Sequence, residues 1–181
     1  SQAITGGAGA DAITGGGGID TINGGGGADN ITVGGGNDIL RYTVAEVGAT
    51  AAVMDTITDF EVGTNVIDFT NLTVTNLRGN GGTYEVVNKG ANAVAVNTGF
   101  IEQNGDEADL LAATALAAAN TMTGWAIGDK AYILITNGAD SAIFLLTENN
   151  GDTTLDTAEL VVTLTGVDEA TFTAANFADF T

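Results

Sequence analysis

Gly6-Gly7-Ala8-Gly9-Ala10-Asp11-Ala12-Ile13-Thr14 is followed by Gly15-Gly16-Gly17-Gly18-Ile19-Asp20-Thr21-Ile22-Asn23, by Gly24-Gly25-Gly26-Gly27-Ala28-Asp29-Asn30-Ile31-Thr32, and by Val33-Gly34-Gly35-Gly36-Asn37-Asp38-Ile39-Leu40. The aspartates fall nine apart, and two places after each comes an aliphatic residue, Ile13, Ile22, Ile31 or Leu40. Fourteen of the 27 glycines lie in the first 40 residues. A flexible linker is Gly-rich too, but it has no reason to keep acid and aliphatic residues in phase over four units. The phase reads as three residues of strand, with one inward apolar side chain, alternating with turns whose left-handed conformations glycine adopts at little cost. Two units close one coil. Stacked coils then set Asp11 over Asp29 on one edge and Asp20 over Asp38 on the other, about 4.8 Å apart like neighbouring strands. Inside, Ile13 and Ile31 face Ile22 and Leu40. Carboxylates that close repel unless a divalent cation lies between them. The glycine turns also aim carbonyl oxygens at the same point, which suits the six or more hard oxygens of Ca²⁺ better than the strict octahedron of Mg²⁺.

The unit, Gly-Gly-x-Gly-x-Asp-x-aliphatic-x, resembles the RTX (repeats-in-toxin) calcium-binding nonapeptide repeat, which builds a parallel β-roll. Geometry and resemblance together make Ca²⁺ the expected ligand of Gly6, Gly7, Gly9, Asp11, Gly15, Gly16, Gly18, Asp20, Gly24, Gly25, Gly27, Asp29, Gly34, Gly36 and Asp38. Ile4 stands one period before Ile13, with Gln2 at the aspartate position. The expectation is an array that continues upstream, in a chain that is the C-terminal piece of a larger protein.

After Leu40 the glycines thin out, and Asp55-Thr56-Ile57-Thr58-Asp59-Phe60 leads to Gly63-Thr64-Asn65-Val66-Ile67-Asp68-Phe69. With the repeat, this resembles the C-terminal domain of serralysin-type secreted proteins over residues 6 to 72. Asn65 replaces that family's Asp and Phe69 its Leu. The resemblance implies that Asp59 and Asp68 help close the end of the coil around further calcium; the competing reading is a surface hairpin with Ile57, Phe60, Ile67 and Phe69 as core.

Composition removes several function classes. The net charge is −19, with 23 acids against Arg41, Arg78, Lys89 and Lys130. A nucleic-acid backbone or an anionic membrane needs clustered Lys and Arg that are missing here. Cys and His are absent, so thiolate sites, imidazole bases and zincin motifs go with them. Ser1 and Ser141 lie outside any Gly-x-Ser-x-Gly elbow. No catalysis is expected in this chain. The longest apolar stretch, Leu110 to Ala119, is about half a bilayer span, so no membrane insertion is expected. At 44% hydrophobic residues the chain is too apolar for its acidity alone to mean disorder.

The remaining residues read as strands with one helix. Residues 73 to 104 alternate as antiparallel strands do, at Tyr84-Glu85-Val86 and Ala93 to Val96. A helix is expected over about 107–119, with Asp106 as N-cap, Asn120 as its end and Leu110, Leu111 and Leu116 on the sheet. Ala131 to Thr136 and Ala142 to Thr147 form a hairpin around Asn137-Gly138-Ala139-Asp140, and Glu159 to Thr165 is a third strand. Between them, Glu148, Asn150, Asp152, Asp156 and Glu159 stand at positions 1, 3, 5, 9 and 12 of an EF-hand-like loop. Its glycine is at position 4 and not 6, so calcium competes with a solvated acidic turn. The tail, Leu164 to Phe180, resembles the uncleaved C-terminal export signal of type I secretion substrates.

The expected fold is therefore all-β. A parallel β-roll over 1–45 precedes a β-sandwich-like, serralysin-C-terminal-like region over 46–181 with one helix and an export signal. The expected function is a calcium-binding module of a secreted protein, unfolded in the cytosol and folding on extracellular Ca²⁺, with the type I secretion machinery as partner. Three alternatives stand beside it: the non-catalytic end of a secreted metalloprotease or lipase, a surface-layer or adhesin domain that self-associates or anchors at the cell surface, and a stand-alone calcium buffer.

Overall fold

The structure is a computed structural model that describes residues 1–43, 55–71, 83–88, 98–104, 107, 109–120, 125–152, 154–167 and 172–178. In chain order the strands are β1 (Ala3–Ala8), β2 (Ala12–Thr14), β3 (Thr21–Gly26), β4 (Asn30–Thr32), β5 (Ile39–Thr43), β6 (Asp55–Ile57) and β7 (Val66–Asn71), then β8 (Thr83–Asn88) and β9 (Thr98–Asn104). Helix α1 (Ala112–Ala119) follows, then β10 (Lys130–Thr136), β11 (Ser141–Thr147), β12 (Thr157–Leu164) and β13 (Phe177–Ala178).

The repeat coils as its period demands. Ile4 pairs with Ile22 and Ile22 with Leu40 in one parallel sheet, and Ile13 with Ile31 in the other. Pairing is not confined to the three-residue strands. Gly7 and Ala8 stay in register with Gly25 and Gly26, and the turns are tied across coils by Gly15 N–H to Thr32 O and Gly35 N–H to Gly16 O. Stacked identical turns thus satisfy main-chain groups that an isolated glycine loop would leave to water.

The ladder runs on past residue 45. β6 pairs with β4, Ile57 beside Ile31, and β7 with β5, Ile67 beside Leu40. Ile22, Ile31, Leu40, Ile57 and Ile67 are all buried, each side chain contributing about 1.5–3 kcal/mol. The sequence after the repeats therefore supplies a further coil and not a surface hairpin, since β6 and β7 lie in different sheets, with Phe60 and Phe69 buried in the core.

The C-terminal strands extend the roll's own sheet. One sheet runs β1-β3-β5-β7-β13, the other β2-β4-β6-β12-β11-β10-β9-β8. The junction is β12 lying parallel to β6, Leu164 beside Ile57. The β10–β11 hairpin forms as expected, Thr136 opposite Ser141, and is buried on both faces. Tyr132, Leu134, Ile143 and Leu145 join the roll core, while Ile133, Ile135, Phe144 and Leu146 build a second core with Trp125 and α1. This is the period-two alternation of a strand packed on both sides.

Two expectations are corrected, and one falls outside the described residues. β8 and β9 pair parallel, and β9 lies parallel to β10; alternation identifies a strand but not its direction. The strand expected at Ala93 to Val96 falls outside the described residues. The helix begins at Ala112 and buries Ala115, Ala118 and Ala119; Leu110 and Leu116 pack half-buried against the same core as expected, while Leu111 is exposed. Its first turn is held by Asp109, whose Oδ1 accepts from Leu111 N–H at 3.2 Å and from the Thr114 hydroxyl; the expected cap, Asp106, lies outside the described residues. Asn120 ends the helix as expected and exchanges two hydrogen bonds with Leu155.

Candidate metal centre

Asp20, Asp29 and Asp38 each reach back to the previous coil, whereas Asp11 Oδ2 accepts Gly7 N–H of its own turn at 2.8 Å. Asp29 Oδ1 accepts the main-chain N–H of Asp11 at 2.8 Å, and Asp38 Oδ1 that of Asp20 at 2.8 Å. Asp20 Oδ1 does the same for Gln2 at 2.7 Å, so Gln2 does stand on the ladder. Carboxylates of successive coils thus do not meet head to head; a main-chain donor lies between them. That answers one oxygen of each pair. The other, Oδ2 of Asp20, Asp29 and Asp38, is buried with no hydrogen-bond partner. A buried carboxylate oxygen without a donor costs several kcal/mol unless a cation meets it.

At Asp29 a glycine turn closes around this second oxygen. A methyl on Gly24 would lie 2.3 Å from Asp29 Oδ2 and 3.0 Å from Asp55 Oδ2. Two carboxylate oxygens therefore border one spot, and only a residue without Cβ leaves it open. Among the described residues no three acidic side chains converge. A cation held here takes one or two carboxylates and otherwise main-chain and solvent oxygens, a donor set suited to Ca²⁺. Gly9, Gly18, Gly27 and Gly36 all have positive φ, as do Gly16, Gly25 and Gly34; Gly6, Gly7, Gly15 and Gly24 serve by lacking a side chain or by pairing.

One member of the ladder, Asp55, escaped the sequence reading, and Asn65 enters that reading only at a position where the family has Asp. Asp55 Oδ1 accepts from Asp29 N–H at 3.0 Å, and Asn65 Oδ1 from Asp38 N–H at 3.0 Å. Asp55-Thr56-Ile57 repeats Asp29-Asn30-Ile31, which was the available signal, but the spacing had grown from 18 to 26. Asp59 lies outside the ladder: its oxygens accept from Val33 N–H at 2.6 Å and Gly34 N–H at 2.9 Å, capping the last glycine turn. Asp68, beside Arg41 in the sheet, is ion-paired to its Nε at 2.9 Å.

The loop after β11 uses its acids as turn caps. Buried Glu148 accepts from Asn150 and Gly151 N–H through Oε1, while its Oε2 has no hydrogen-bond partner. Asp156 accepts from Asn149 N–H and Asn150 Nδ2, each at 2.6 Å. The Thr154 hydroxyl and N–H hold the carboxyl of exposed Asp152 below the usual carboxylate range. Glu159 stands apart in β12, opposite Leu145.

The described part of the tail is built into the roll. β13 pairs with β7, Phe177 beside Ile67, and Phe172 stacks on Phe60 and Phe177 with ring centroids 6.0 and 5.6 Å apart. Among the described residues no helix is long and apolar enough to cross a membrane.

The family model of the RTX calcium-binding nonapeptide repeat matches residues 5–40 in four copies. These residues are an RTX calcium-binding array. The RTX match spans Asp11, Asp20, Asp29 and Asp38, and ends before the coil that Asp55 and Asn65 complete. No curated protein sequence matches the chain. Among solved structures, the AlgE6R3 subunit from the Azotobacter vinelandii mannuronan C5-epimerase is similar at 19% identity, covering 98% of this chain and 78% of that one, with a TM-score of 0.46. The AlgE6R2 subunit is similar at 19% identity, covering 96% and 90%, with the same TM-score.

Proposed function

We propose that the chain is a calcium-triggered folding module of a secreted protein, kept open in the cytosol and closed by extracellular calcium after export through a type I system. The observation that carries this reading is the set of buried, donor-free Oδ2 atoms of Asp20, Asp29 and Asp38. Without a cation these oxygens oppose the coil; with one they hold it. The proposed ligands are these aspartates with Asp11 and Asp55, and carbonyl oxygens of the turns at Gly6 to Gly9, Gly15 to Gly18, Gly24 to Gly27 and Gly34 to Gly36. The ion supplies positive charge; the chain supplies oxygens already lined up by the register of the coils.

Magnitudes favour a switch. With a Kd of about 10⁻⁴ M, usual for extracellular modules, each site at about 1 mM calcium contributes roughly 1.4 kcal/mol. One site decides little, but sites on shared coil interfaces add up, as stacked repeats do. Isothermal titration with Ca²⁺, followed by size-exclusion chromatography, tests the reading: several ions bound with a contraction of the chain support it, and no binding at millimolar calcium overturns it. Export is tested separately, by asking whether cells with and without a type I exporter release the chain.

A further inference from the structure

The ladder does not end alike on its two edges. On the first it runs through Asp11, Asp29 and Asp55; on the second through Asp20, Asp38 and Asn65. Asn65 is fully buried, and its Oδ1 takes the Asp38 N–H. That donor fixes the amide's orientation, because only the oxygen can accept. Nδ2 must then occupy the place that Oδ2 has in an aspartate, and it has no hydrogen-bond partner. A ladder aspartate offers one oxygen to the coil and a second to a cation. Asn65 offers the first and replaces the second with a donor, whose positive end repels a cation.

The turn before Asn65 agrees. Glu61 O accepts from Thr64 N–H at 3.2 Å and from Asn65 N–H at 2.9 Å. This carbonyl closes a helical turn on itself, where the glycine turns tie coil to coil. Asn65 O in turn accepts from Asn176 Nδ2 at 3.1 Å, so the next layer at this corner is protein.

We infer that Asn65 ends the cation row on the Asp20–Asp38 edge, an ion-free rung at which calcium is excluded, while the opposite edge carries calcium as far as Asp55. This rests on the calcium reading above and assigns to Asn65 the role of setting how many ions the array holds.

The test is anomalous difference density from crystals of the whole chain grown in calcium, joined to the calcium stoichiometry of the wild type and of Asp55→Asn. Density near Gly24 beside Asp29 and Asp55, with none between Asp38 and Asn65, supports the inference; density bridging Asp38 and Asn65 overturns it. Asp55→Asn keeps the acceptor for Asp29 N–H and makes the first edge end as the second does. It should bind one ion fewer, and an unchanged count overturns the inference; should this variant fail to fold, the wild-type map alone decides. No calcium anywhere in the wild type overturns the calcium reading itself.

Discussion

Asp38 Oδ1 accepts the main-chain N–H of Asp20 at 2.8 Å, eighteen residues back, while Asp38 Oδ2 lies buried beside it with no donor. Its first oxygen sets the coil-to-coil register. On the calcium reading proposed above, the second is left for a cation, so register and ion binding would be coupled through a single side chain, and loss of the ion would leave a buried charge attached to the very bond that aligns the coils.

Glycine positions in the turns are not equivalent. Gly25 has φ +95°, and a methyl there would sit 2.2 Å from Gly7 O; at Gly26 a methyl meets nothing within 4 Å. Gly25→Ala is expected to cost about 2 kcal/mol or more and to raise the calcium midpoint of folding, with Gly26→Ala close to wild type. Calcium titrations of both variants by circular dichroism check the contrast.

Ile22 is fully buried and Ile19 is 57% exposed, three residues apart in one repeat. In saturating calcium, Ile22→Ala should lose about 2–5 kcal/mol and Ile19→Ala no more than about 0.5 kcal/mol, measured by urea unfolding. Equal losses would mean that the coil is not packed as described.

Asp59 caps Val33 and Gly34 N–H with both oxygens. Asp59→Ala strips two charge-assisted acceptors from the last glycine turn and should destabilise the chain by about 1–2 kcal/mol. Faster hydrogen exchange at the amides of Val33 and Gly34 would locate the effect.

Asp152 should titrate below the usual carboxylate range, and Thr154→Val should raise it, because the hydroxyl bond is the largest cause of the shift. With the folded pKa depressed, this turn's contribution is complete above the unfolded pKa and disappears as pH falls through the folded one. Carboxyl carbon shifts followed by NMR give both values.

The sequence made the repeat legible because nine-residue phase fixes coil, core and acid edges at once. Ile13, Ile22, Ile31 and Leu40 are all buried where that phase put them. It could not show which carboxylate oxygen serves the backbone, since that depends on where the neighbouring coil's N–H lies. Asp55 was hidden because the last spacings lengthen to 26 and 27 residues, and Asn65 was legible only through the family resemblance. The pairing of β13 with β7 is less legible still: it joins Phe177 to Ile67 across more than half the chain, and no local pattern encodes it. In the loop after β11, oxygen-bearing residues at EF-hand spacing looked alike, but the structure separates Glu159, held in a strand, from Glu148 and Asp156, which cap turns.

Far-ultraviolet circular dichroism of the whole chain, recorded first in EGTA and then across a calcium titration to the millimolar range, tests the central claim most directly. The account predicts a largely unordered spectrum in EGTA and a cooperative gain of β signal with a midpoint near 10⁻⁴ M. A spectrum equally rich in β structure with and without calcium would contradict it.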